Sequence, residues 1–219
     1  PVILTADVTI TETSAAGSVT FNNTVDSDGT PRDLTINTPA GASTVLAGLV
    51  GNSSHLATRT TDSPGPTTVS TSSITAEAIS LNDSVSITTG SVLTADEIDF
   101  GGGTDSVSGS VALSLAPLTS SANIVIGGSA DSGASVLDIT DGDLAALTDG
   151  FTSLTIGDTS GTGTITLDSA TFDDPVTIAG GTIVPVRALF DAAGIEMTSG
   201  CSLDFRLQGG SGSIRVYRQ

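Results

Sequence analysis

The stretch SLTIGDTSGTGTITLDSATFDDPVTIAGGTI, residues 153–183, holds three short β-type phrases in a row: SLTI, GTITL and PVTI. Each is apolar at alternate positions: Leu154 and Ile156, then Ile165 and Leu167, then Val176 and Ile178. That is the period of a strand with one face turned inward. Only turn formers separate the phrases: Gly157-Asp158-Thr159-Ser160-Gly161, Asp168-Ser169-Ala170 and Asp173-Asp174. A step of about eleven residues between strands this short predicts a coil in which each strand stacks on its equivalent one turn away.

The same grammar runs through the chain. Residues 1–40 read as three strands, VILTADVTI, SVTFNNTV and DLTINT, with an Asp28-Gly29 turn signal before the last. Residues 76–128 supply EAISLN, SVSITT, SVLTAD, EIDFG, SVSGSVALSLA and ANIVIGG, joined by single Asn, Asp or Gly positions. Two interruptions stand out. Ser63-Pro64-Gly65-Pro66 must be a loop, because neither proline can donate to a ladder, and residues 52–66 are the expected excursion from the scaffold. In LDITDGDLAALTDGF, Asp143 is placed to cap one helical turn over Leu144–Leu147, which Asp149-Gly150 ends.

The 219 residues include 24 acidic and 6 basic ones, a net charge of −18, with no Lys and no Trp. Hydrophobic residues make up 37% of the chain, enough for a thin core of Val, Ile, Leu and Ala in rows, which separates it from a disordered acidic chain. The charge disfavours nucleic acid, whose phosphates need Lys and Arg, and the apolar runs are too short to insert in a membrane. A single cysteine, Cys201, allows no disulfide within the chain. The start at Pro1 without Met suggests a processed product or part of a longer polypeptide.

Residues 183–219 change character. Pro185 stands at a helix start, VRALFDAA followed by Gly194 reads as a short capped helix, and SLDFRLQ and SIRVYRQ about Gly209-Gly210-Ser211-Gly212 read as a hairpin. The expected division is a β-solenoid over residues 1–182 and a C-terminal cap or connector over 183–219, which would shield the last rung. The expected fold is all-β, a right-handed parallel β-helix of roughly 20 to 30 residues per rung and on the order of eight rungs. Tandem antiparallel sandwiches are the alternative.

VILTADVTITETSAAGSVTFNNTVDSDGTPRDLTINT and LDITDGDLAALTDGFTSLTIGDTSGTGTITLDSATFDDPVTI resemble the repeat regions of filamentous-haemagglutinin-like bacterial surface proteins. The resemblance covers residues 1–182. It implies a right-handed parallel β-helix, export to the cell surface, and a role as adhesin or extracellular fibre. It carries no catalytic residues.

The expected function is therefore structural and non-enzymatic: a secreted or surface-exposed segment of a filament or stalk. Its partner would be itself, end to end, or neighbouring repeats of a longer chain. The other reading is an adhesin module that holds a surface glycan or protein through the 52–66 excursion. No catalytic set is expected, since one histidine, His55, has no second His or useful Cys beside it. Calcium is the one cofactor the acids suggest. Asp96, Glu97 and Asp99 form the densest early cluster, with Glu97 and Asp99 on one strand face, and Asp105 lies in GGGTDSV, which resembles one unit of a calcium-binding repeats-in-toxin motif. Asp173-Asp174 and Asp141 with Asp143 are lesser clusters.

Overall fold

A computed structural model describes residues 1–62, 64–133, 136–168, 170–187, 195–196 and 202–203, with backbone course alone for 185–187, 195–196 and 202–203. The chain winds about eight turns of a parallel β-solenoid. The first rung is β1 (Val2–Leu4), β2 (Val8–Thr11) and β3 (Ser18–Phe21), and the second is β4 (Val25–Ser27), β5 (Leu34–Asn37) and β6 (Ser43–Leu46). The third opens at Val50, which bridges Val25 and Ile74, and continues as β7 (Leu56–Thr61) and β8 (Thr67–Val69). The fourth is β9 (Ser73–Leu81) and β10 (Val85–Ile87), and the fifth is β11 (Ser91–Thr94), β12 (Glu97–Asp99) and β13 (Val107–Gly109). The sixth runs β14 (Ala112–Ala116), β15 (Asn123–Ile126), β16 (Val136–Ile139) and the helix α1 (Asp141–Ala146). Then follow β17 (Ser153–Gly157), β18 (Thr164–Asp168), β19 (Val176–Ala179), β20 (Thr182–Arg187), β21 (Ile195–Glu196) and β22 (Ser202–Leu203).

Every ladder among the described residues is parallel, which removes the antiparallel sandwich alternative. Alternation explains the core. Ile74, Leu93, Leu115, Ile156 and Ile178 occupy the same register on five successive rungs and form one buried row. Each such side chain contributes about 1.5–3 kcal/mol by leaving water. Strand β9 shows how the chain turns a corner without a loop. Ile74 and Ala76 point inward, Glu77 points out, and the inward set resumes one position late at Ile79 and Leu81. Its first half pairs with β11 and its second half with β12.

Rung length varies. Val85 pairs eighteen positions after Thr67, and Leu34 twenty-six after Val8. One rung is much longer, because Ile165 pairs forty-one positions after Ile124. The surplus is an inserted strand and helix. The chain leaves β15 through Gly127 and Gly128, both at positive φ (84° and 78°), and a Cβ on Gly127 would run into the Asp168 carbonyl. It then returns as β16, parallel to β15 but on the side facing the earlier rungs, next to β12.

Three expectations are corrected. The excursion is not 52–66: Leu56–Thr61 is β7, with Leu56 and Arg59 fully buried. Its Ala and Thr residues gave the strand too little apolar contrast to be read. The helix begins at Asp141, not Leu144, and its N-cap is Thr140, whose hydroxyl accepts from the Asp143 N–H while the Asp143 carboxylate accepts from the Thr140 N–H. Asp143 is thus the far half of a capping box. Pro185–Arg187, read as the start of a helix, extend β20, where the proline's missing N–H coincides with an irregularity in the ladder. The remainder of that helix, the second arm of the hairpin and Cys201 lie outside the described residues. The parallel ladder continues through Ile195–Glu196 and Ser202–Leu203.

Candidate functional site

The acids of residues 96–105 diverge in the structure. Asp96 turns to a neighbouring loop, where its carboxylate accepts from the Thr119 N–H (2.8 Å) and hydroxyl (2.6 Å). Asp105 sits in a turn at φ 57°, its N–H donating to the Ala145 carbonyl, and is in no carboxylate cluster. Glu97 and Asp99 occupy β12 at the seam with the inserted segment.

At that seam Glu97 meets two acids that sequence reasoning missed. Glu97, Asp131 and Asp138 each place a carboxylate oxygen within 4.8 Å of the other two. Glu97 is 7% exposed and Asp138 2%, whereas Asp131 is on the surface. The Ser132 N–H donates to Asp138 Oδ2 (2.7 Å), but Asp138 Oδ1 and both Glu97 oxygens are shut off from solvent and have no partner. Burial raises the Glu97 carboxyl to about 7, helped by Asp99, Asp131, Asp138 and Asp143. Burial likewise raises Asp99 to about 6, helped by Asp143 and Asp131. Every charge acting on Glu97 is negative.

Asp143 has a different task. Its Oδ2 accepts from the Thr140 backbone and hydroxyl, and its Oδ1 accepts from the Phe100 N–H (2.9 Å). This carboxylate pins α1 over the end of β12. Beside it lies an open cleft of about 470 Å³ that Asp99, Asp131 and Asp143 help line. Asp141 accepts from the Gly128 N–H and so closes the insertion's base, and Asp174 accepts from the Gly150 N–H. Among the described residues no second metal-competent cluster occurs. His55 stands 3.5 Å from Glu77 at the surface.

A second feature is the first rung. Among the described residues, strands β1, β2 and β3 each pair on one side only. Val8, Ile10, Val19 and Phe21 are only partly covered, and Val2 and Ile3 are 41% and 54% exposed, whereas Leu34, Ile36 and Leu46 one rung on are fully buried.

A third is a buried arginine. Arg59 lies in the row Leu34–Arg59–Ile79, fully enclosed, with its Nη1 donating to the Thr60 carbonyl and its Nε and Nη2 without partners. Burial lowers it to about 10, against the pull of Asp83. Burial raises Asp83 to about 6 in spite of the bond from the Thr67 hydroxyl and the attraction of Arg59.

No family model matches this chain, and no curated protein or solved structure matches it significantly. The β-solenoid is therefore established by the ladders alone. Among the described residues no helix is long and apolar enough to cross a membrane.

Proposed function

We propose that this chain is a structural, non-enzymatic segment of a secreted or cell-surface filament or stalk of the filamentous-haemagglutinin-like kind, built by stacking coil on coil. The observation that carries this is the continuous stacking: parallel ladders and the buried row Ile74, Leu93, Leu115, Ile156 and Ile178 pass from rung to rung, and the half-covered Val8, Ile10, Val19 and Phe21 follow the same pattern. Another rung of the same kind, from a second copy or from neighbouring repeats, would complete both the ladders and the rows. The acidic exterior supports end-to-end over side-to-side contact, because the flanks repel at low salt. A glycan-cleaving role has less support, since the Glu97 carboxylate, whose raised pKa would suit a general acid, is closed off from any substrate.

Negative-stain electron microscopy of the full chain tests this. Uniform fibres are expected, and Ile10→Asp with Val19→Asp should reduce them to short rods. Single rods at every concentration of the unaltered protein would overturn the reading.

A further inference from the structure

The seam between β12 and β16 is a break in the ladders of its face of the coil. Strand β12 hydrogen-bonds to β9 and strand β16 to β15, and although β12 and β16 lie side by side, no ladder joins them. The helix of the insertion is tied to the coil by Asp143 at the Phe100 N–H and by the Asp105 N–H at the Ala145 carbonyl, but the strands themselves meet at carboxylates: Glu97 from the regular coil, Asp131 and Asp138 from the inserted segment. Ionised together, these carboxylates repel across the seam, and the buried oxygens without partners carry an unrelieved desolvation cost.

We propose that Glu97, Asp131 and Asp138 form a binding site for one hard divalent cation of calcium's size, which clamps the inserted strand and helix to the coil. All-oxygen, all-anionic donors select hard cations over zinc or copper. Calcium–oxygen bonds of about 2.3–2.6 Å let two ligand oxygens of one ion stand up to about 5 Å apart, so a set within 4.8 Å can share one ion. Magnesium demands near-ideal octahedral geometry and keeps several of its own waters, so three carboxylates with two of them buried suit calcium's looser coordination. The orphaned oxygens of Glu97 and Asp138 supply the independent sign of a missing partner: they belong to side chains more than nine-tenths buried that cluster with the exposed Asp131, which gives the ion its entry. The clamp does not depend on the filament reading, since it acts within one chain.

The test uses the full chain stripped with chelator. Calorimetric titration with calcium chloride at physiological ionic strength is expected to show one saturable site. The Glu97→Gln/Asp138→Asn double variant should weaken it more than about tenfold, while Asp149→Asn, at an exposed turn, leaves it unchanged. Hydrogen exchange on the unaltered protein provides a readout that needs no variant: calcium should slow the amides of Val136–Ile139 and Glu97–Asp99. Absence of saturable binding, binding that survives the double variant, or exchange at the seam indifferent to calcium would each overturn the proposal. Equal affinity for magnesium would overturn the assignment to calcium's size.

Discussion

Arg59 and Glu97 are buried charged side chains in the third and fifth rungs of the same coil, yet their surroundings have opposite composition. Arg59 sits inside regular coil and senses Asp83, a charge of the other sign. Glu97 sits at the edge of an insertion and senses only other carboxylates. The first region holds a charge of each sign, although Arg59 Nε and Nη2 and Asp83 Oδ1 make no hydrogen bond. The second holds charges of one sign only, and needs a proton or a cation from outside. The difference follows from topology: stacked rungs bring a fixed partner to each inward position, whereas a back-stepping strand brings a new surface against an old one with no ladder between.

The comparison breaks most sharply at Asp83. Replacing it with Leu leaves the Arg59 guanidinium enclosed without a counter-charge, and a loss of about 3–5 kcal/mol is expected by chemical denaturation. Adding Arg59→Met should return the protein to within about 1 kcal/mol of the original. If Asp83→Leu alone costs no more than the pair of changes, the two charges are not balancing each other.

The unbalanced region should respond in the other direction. Glu97 titrates near 4.5 in an unfolded chain and at about 7 in the fold, so between those values the native state holds a proton that the unfolded chain has released. Its contribution is therefore greatest below about pH 4.5 and is lost by about pH 7, on the order of 3 kcal/mol. In calcium-free protein, Glu97→Gln should raise the denaturation midpoint at about pH 8 and leave it unchanged at about pH 4. A variant less stable than the original at pH 8 would mean that Glu97 has a favourable partner.

The smallest effect refines the boundary of the second region. Thr140→Ala removes one half of the capping box that aims Asp143 at the Phe100 amide, and about 1 kcal/mol should be lost. Exchange protection should fall at Phe100 and in α1 and stay unchanged about Arg59. Uniform loss across the molecule would show that the insertion is not a separate unit.

How far the sequence could be read follows from which information is local. Alternation at Leu154 and Ile156 or Ile165 and Leu167 announces strands because it is contained in one phrase, and turn residues between phrases announce stacking. Partner choice is not local. VLDI at β16 looks like any other strand, and nothing in it says that it steps back beside β12. Glu97 therefore appeared with its sequence neighbours Asp96 and Asp99, when its spatial neighbours are Asp131 and Asp138. A usable sign existed: Glu97 and Asp138 lie within β phrases, not in the turns where this chain keeps most of its acids. Arg59 carried the same sign in LATRTT, a phrase whose weak contrast hid the strand itself.

The unequal rungs also govern how the molecule would yield to tension. A coil whose contacts join only neighbouring turns can peel one turn at a time. Most turns release some twenty residues, on the order of 70 Å of extended chain, but the turn that carries the insertion releases forty-one positions, on the order of 140 Å. Under load, the slack hidden beside Glu97 makes that turn the longest extension in the coil, and whatever fastens its seam sets the force at which that length is surrendered.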